Sequence, residues 1–476
     1  MTEAPLYTIG FVLVAFLAAS LFIMVGAVLR HAVPLIQKLH IPAAVLGGII
    51  ALLLGPQVAG PYIAESLSIE AEMNEMFKLW KQMPAYLISV VFAALMMGSA
   101  IPSLGKIWTN ASPHLVVGYI SAWGQYIVGI LLALFVLVPF YDANPLSSML
   151  VAIGFQGGYG TAAGLSDTYG PLGFSEGYDL ALGMATAGKV SAILIGLMLI
   201  NLAVRRDEMK SPQEKKEEHL NEDISEKQAK KLFQRKREEQ HFSADTLVIH
   251  FALLSLAIAV GGLLKFGLTS GEGLFLAEGE DGFMKFIPLF PLALIGGALV
   301  QMGISRLKQP QLVNHQTLHS LSHSFLDLLI VVAIATLSLK TIADNWQLLL
   351  ILISSAIGWN LFVFFFIAPR FYQDQPWARG VGDFAHATGA TTTGLLMMKV
   401  VDPTDDAGAR SSFNMKQTFY EPIVGGGFIT ALSLPVVHAI GLVPALFVFT
   451  ALLIITLIFG WKVVGLNGRS NLLTPN

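Results

Sequence analysis

Long apolar runs separated by short polar connections dominate the chain. They lie at 6–29, 41–58, 85–105, 114–140, 178–204, 246–268, 284–303, 324–343, 346–369, 418–440 and 442–463. About 20 apolar residues cross a hydrocarbon core, so these runs predict membrane-crossing helices. Two further segments, 146–165 and 380–398, are apolar but crowded with Gly, Ala, Ser and Thr. Between 62 and 82, Glu65, Glu70, Glu72 and Glu75 alternate with Ile69, Met73, Met76, Phe77 and Trp80. That alternation predicts an amphipathic helix on the membrane surface. The first run exceeds a signal-peptide core of roughly 7–15 residues and follows no basic stretch, so it reads as a retained crossing helix.

One hydrophilic stretch divides the chain. Residues 205–240 hold eleven Lys/Arg and ten Asp/Glu, and 205–245 reads as a solvated linker placed in the cytoplasm by its basic residues. With an external N-terminus, Arg30, Lys38, Lys106, Arg205, Arg306, Lys308 and Arg370 fall inside, and the acidic stretches at 65–75 and 273–281 fall outside. This holds only if each half has five crossings. An odd count gives the halves, 1–204 and 246–440, opposite orientations. Residues 441–476 then add one more crossing and return the C-terminus to the cytoplasm.

The halves echo each other. "IPAAVLGGIIALLLG" begins at Ile41 and "FPLALIGGALVQMG" at Phe290. In both, a proline precedes a glycine pair by the same interval: Pro42 to Gly47-Gly48, and Pro291 to Gly296-Gly297. "TAAGL" at Thr161 is answered by "TTTGL" at Thr391. Inverted-topology repeats are a common architecture of secondary transporters. The expected fold is an all-α polytopic membrane protein of two inverted repeats. Each repeat has five transmembrane helices and a re-entrant hairpin (146–165 and 380–398), and an extra C-terminal helix follows.

Composition narrows the class. Of 476 residues, 54% are hydrophobic and 13% charged, against about 25% charged in soluble domains. The net charge of −3 offers no basic surface for nucleic acid. Without cysteine, disulfides, thiolate metal sites and cysteine catalysis are excluded. No phosphate-binding loop or H-E-x-x-H occurs, so neither an enzyme nor a nucleotide-driven pump is expected, and no organic cofactor.

Against this background "GFQGGYGTAAGL" at 154–165 is unusual, with four glycines between Gly157 and Gly164. Non-helical backbone at membrane depth must find partners in protein or line a wet cavity, and glycine permits such paths. Gly157, Gly158, Gly160 and Gly389 would free backbone groups for a ligand, and Thr161, Ser166, Thr391, Thr392 and Thr393 add hydroxyls. Two readings compete: small-residue packing faces between helices, or a paired binding site. Recurrence in both halves favours the site, for a small anionic solute and a cation.

A charge at bilayer depth marks a site or a buried pair. Lys189 is a candidate to balance a substrate carboxylate, or one partner of a structural ion pair. Asp383 with Thr388 is the candidate cation site. Glu421, His386 and Asp327 form a candidate charge network. Histidine as a residue type titrates near neutral pH, which leaves proton coupling through Asp383 or His386 open.

At these residues the chain resembles the bacterial sodium/glutamate symporters. The likeness is carried by "IPAAVLGG" after the first helix, "GGYGTAAGLSDTYG" from Gly157 leading into "ALGMATAGKV" from Ala181, and "HATGATTTGLLMM" from His386 followed by "EPIVGGGFI" from Glu421. The resemblance implies two inverted five-helix halves with a re-entrant hairpin in each, and a homodimer in the bacterial cytoplasmic membrane. It also implies sodium-driven glutamate uptake by elevator-like movement. The chain departs from the family at Lys189 and Glu421, where apolar residues are expected, at Asp383, in its long linker and in its eleventh crossing. Alternatives are a proton- or sodium-coupled transporter of another small carboxylate or amino acid on the same fold, or, from another class, a channel or an intramembrane enzyme.

Overall fold

The computed structural model describes residues 9–38, 41–98, 104–206, 244–274, 282–307, 313–372, 375–389, 391–402 and 408–470. All but the ends of the 205–245 linker, most of the outer acidic stretch at 273–281 and the tail from 471 lie outside the described residues. Regular structure among the described residues is helical throughout. Nine of the described helical segments are long and apolar enough to cross a membrane, so the chain is an all-α, multi-pass membrane protein.

The helices that build it are α1 (Ile9–Ala32), α2 (Ala43–Leu54), α3 (Glu70–Leu95), α4 (Leu104–Leu132), α5 (Leu150–Phe155), α6 (Gly158–Gly164) and α7 (Gly177–Arg205). After the linker come α8 (Ala244–Gly273), α9 (Leu289–Arg306), α10 (His315–Ala335), α11 (Trp346–Phe362), α12 (Pro376–Gly389) and α13 (Thr391–Val401). The chain closes with α14 (Ala409–Ile423), α15 (Phe428–Ile440) and α16 (Leu442–Ser470). Both α4 and α11 run on into a five-residue π-helical turn, at Ala133–Leu137 and Val363–Ile367. A four-residue helical turn containing a proline follows each one, Val138–Tyr141 and Ala368–Phe371.

Two groups of helices result. In the first, α1 packs on α2 and α8 on α9, while α2 lies against α10 and α9 against α3. The glycine pairs explain this arrangement. A Cβ on Gly47 would stand 2.3 Å from the Phe22 carbonyl of α1, and one on Gly48 2.8 Å from Ile334 of α10. In the other half, a Cβ on Gly296 would meet the Ala257 carbonyl of α8 at 2.0 Å, and one on Gly297 the Ala93 carbonyl of α3 at 2.2 Å. Each pair therefore seats its helix against the first helix of its own half and the third helix of the other. Small residues of this kind let helix backbones approach where lipid gives no hydrophobic drive to associate. The second group gathers α4, α5–α7 and α11–α16, with α4 against α14 and α16, and α7 against α5, α6 and α12.

Several boundaries differ from the hydropathy reading. The apolar run 41–58 yields only the 12-residue α2, about 18 Å long, because Gly55 ends it. The expected surface helix at 62–82 divides: a short helix covers Gly60–Leu67, and residues from Glu70 onward are the first turns of α3. Trp80 explains why that part is not superficial, since it is wholly buried and its indole N–H donates to the Ala15 carbonyl at 2.9 Å. The run read as 324–343 instead begins at His315, where the Asn314 side chain caps the helix by accepting from the Thr317 N–H, and it ends at Ala335. The crossing expected at 418–440 is interrupted between α14 and α15, with Gly426 at φ +96°.

Candidate functional site

The first glycine-rich segment breaks into two short helices. The N–H groups of Gln156 and Gly157 both reach the Ala152 carbonyl, at 3.2 and 3.1 Å. Gly158 then takes φ +59°, a left-handed value that glycine adopts without steric cost. The segment ends near where it began, since the Asn144 side chain donates to the Gly173 carbonyl at 2.8 Å. Its turn is therefore a tip, with backbone on either side.

The second segment folds back as well. Gly382 faces the Met398 side chain and Gly394 faces His386, so α12 and α13 lie antiparallel. The end of α12 rests on α7. A Cβ on Gly188 would meet the Thr388 carbonyl at 2.4 Å, and one on Gly389 would lie 2.7 Å from the Ala192 Cβ and 3.2 Å from the Lys189 Cα. The α14–α15 interruption completes the arrangement, with Thr161 Oγ1 donating to the Gly426 carbonyl at 3.0 Å.

These pieces enclose a cavity of about 100 Å³. From the second helix group it is lined by Gln156, Gly157, Gly158, Tyr159, Gly160, Thr161, Ala185, Lys189, Gly389, Thr391, Thr392, Glu421 and Gly425. The first group closes it with Ile88, Val91 and Phe92 of α3 and Leu326 and Ile330 of α10. Among the described residues that line it, Lys189 is the one base and Glu421 the one acid. The Lys189 ammonium lies 5.9 Å from the Tyr159 ring centroid and within electrostatic range of Asp327. Glu421 and Thr391 line the cavity together. A larger cavity, about 750 Å³, opens between α3, Asp167 and α8. It includes none of the tip residues that line the smaller one, so its size does not make it the site.

Most residues singled out in the sequence meet at this cavity; six, His386 among them, do not line it. Asp327 directly follows Leu326 and precedes Ile330 by three residues, but does not itself line the cavity. Ser166 is beyond α6, and its buried hydroxyl has no hydrogen-bond partner. Thr393 Oγ1 turns back to the Gly389 carbonyl at 2.6 Å. Thr388 Oγ1 accepts from Asn360 at 3.1 Å, and Gln125 holds the adjoining Ala387 carbonyl at 2.7 Å.

Asp383 is also elsewhere, in a buried cluster that joins α4, α12 and α14. Its Oδ1 pairs with Lys416 Nζ at 2.8 Å and its Oδ2 with His114 Nδ1 at 2.8 Å, and Tyr372 hydroxyl bonds to the same oxygen. Asp383 and Thr388, expected together as cation ligands, have polar atoms that face different protein partners. Lys416, wholly buried, also contacts His386 Nδ1 at 2.9 Å and lies 4.5 Å from the Tyr420 ring centroid. Tyr420 hydroxyl in turn bonds to Gln156, which lines the cavity. Lys416 was missed because it lies in a polar stretch beside a hydrophobic run, and His114 because it is the first residue of one. Gln156 stood in plain view inside the glycine motif.

The chain belongs to the sodium/glutamate symporter family, whose model matches residues 10–404. Comparison with curated proteins found no match. Membership carries the general function, sodium-coupled symport of glutamate, with sodium as the coupling ion and no organic cofactor implicated. The protein is a transporter, not an enzyme, and resides as a multi-pass protein in the bacterial inner membrane. The matched stretch contains both tips but ends before α14, so Lys416, Glu421 and Gly425–Gly427 lie beyond it.

Proposed function

We propose that glutamate and sodium are held together in the cavity between the two tips and the α14–α15 interruption. In this reading Lys189 takes a substrate carboxylate, and Glu421 with Thr391 faces the positive partner, sodium or the substrate's amino group. Thr392 and the turn at Gly157–Gly158 supply further polar surface. The observation that carries this is the presence of one ammonium and one carboxylate in the lining of one small cavity, beside backbone that is not fully engaged in helices. A volume below the 300–1,000 Å³ of ordinary ligand pockets suits a closed site fitted to a compact solute.

The same reading takes the halves 1–204 and 246–440 as inverted repeats of five crossings with a re-entrant hairpin each. Reciprocal seating of the two glycine pairs supports it. The N-terminus is then outside, the linker and C-terminus cytoplasmic, which agrees with Arg30, Arg205, Arg306 and Arg370 at helix ends of one sidedness. Because the cavity lies where the two helix groups meet, elevator-like sliding of the second group along α3 and α10 would alternate its access. A homodimer rests on the family likeness.

Uptake into proteoliposomes under a sodium gradient or a proton gradient, imposed one at a time, tests this. Sodium-driven glutamate accumulation by the wild type, lost in Lys189→Met and Glu421→Gln with both variants correctly inserted, is expected. Unchanged affinity and sodium dependence in Lys189→Met would remove Lys189 from the site.

A further inference from the structure

The polar first half of α10 is unusual for a helix at membrane depth. His315, His319, His323 and Asp327 follow at four-residue intervals, so they share one face. The rings of His315 and His319 lie 6.1 Å apart and those of His319 and His323 4.3 Å apart, and the Nε2 atoms of the latter pair are separated by 3.2 Å. His315, Gln316, His319, Ser320, His323 and Ser324 are all exposed. Exposed positions on α1 and α8, by contrast, are mostly apolar, such as Leu13, Val28, Leu263 and Phe266. A stripe of imidazoles and hydroxyls facing lipid would be costly, so this face borders water.

The stripe leads to the site. From His315 to Asp327 is about 18 Å along the helix, more than half of a hydrocarbon core of about 30 Å. Asp327 is in electrostatic range of His323 below it and of Lys189 across from it. Its neighbours Leu326 and Ile330 line the cavity. Of the other elements packed on α10, α8 presents His250, whose Nε2 accepts from the Asn314 N–H at 2.7 Å at the helix start.

We infer that this ladder is a water-lined proton path between the membrane face where α10 begins and the Asp327–Lys189 pair. A proton taken up on one ring nitrogen of His315 releases another from the opposite nitrogen towards His319. It crosses from His319 to His323 and ends, through bridging water, on the Asp327 carboxylate. Nothing is oxidised or reduced, and the return path is the reverse. Neutral Asp327 no longer offsets the Lys189 ammonium, which is then free for the solute's carboxylate. A proton thus accompanies the anion in addition to sodium. This last step rests on Lys189 being the substrate's partner, as proposed above; the path itself does not.

Two measurements on the full chain separate these. In weakly buffered proteoliposomes with a trapped pH dye, sodium-driven glutamate uptake is expected to move protons in the wild type. In His319→Asn/His323→Asn the protons moved per glutamate fall to background, and the sodium-driven uptake that remains at fixed pH is slower. Wild-type uptake without proton movement, or an unchanged signal in the double variant, would overturn the inference. Because the chain lacks cysteine, Ser324→Cys can be labelled alone with a charged, membrane-impermeant thiol reagent. Labelling is expected there and not in Val28→Cys. An unlabelled Ser324→Cys would overturn the water-lined path whatever the transport result.

Discussion

Thr161 Oγ1 donates a 3.0 Å hydrogen bond to the carbonyl of Gly426, 265 residues further along the chain. The bond ties the tip of the first glycine-rich segment to the interruption between α14 and α15. Both partners are buried, so each depends on the other for satisfaction.

Thr161→Val keeps the shape and removes the donor. Leaving a buried carbonyl unpaired costs about 1–3 kcal/mol, and if that cost falls on the transport-competent conformation, sodium-driven uptake drops about tenfold or more. Thr161→Ser, which keeps the hydroxyl, retains most activity. Initial uptake rates at matched protein content in the membrane check both.

Gly188→Ala places a methyl 2.4 Å from the Thr388 carbonyl, and Gly389→Val crowds Ala192 and the Lys189 backbone. Both are expected to abolish uptake while the protein still inserts. A Cβ on Gly160 meets only the Ile88 and Leu326 methyl ends, at 3.2 and 3.5 Å, so Gly160→Ala is milder. Gly358, with nothing within 4 Å, is the control: Gly358→Ala transports normally, with a stability gain of up to about 1 kcal/mol from helix propensity.

The crossings and both tips were legible in the sequence because hydropathy and glycine clustering are local signals. Lys189 was legible as a charge inside an apolar run. What was not legible depends on which faces meet. Asp383 looked like a cation ligand beside a hairpin, but its partners His114 and Lys416 come from helices 269 and 33 residues away, and only packing brings them together. Residues 315–323 were passed over because their polarity argued against a crossing, although their four-residue spacing was a helical signal in the sequence.

The Lys416–Asp383 pair carries a stability prediction. Removing one member of a buried ion pair strands the other and typically costs about 3–5 kcal/mol. Lys416→Met and Asp383→Asn should each lower the thermal midpoint in detergent clearly. The combined variant should recover part of that loss, since neither charge is then stranded. Equal or additive losses in the double variant would mean that the pair is not coupled.

Substrate protection tests the binding cavity most directly. Thr392 is exposed and lines it, and a Thr392→Cys protein carries a single thiol. Its rate of labelling by a small maleimide is expected to fall sharply when sodium and glutamate are present together, and little with either alone. An unchanged rate, in a variant that still transports glutamate, would contradict the placement of substrate and ion between the two tips.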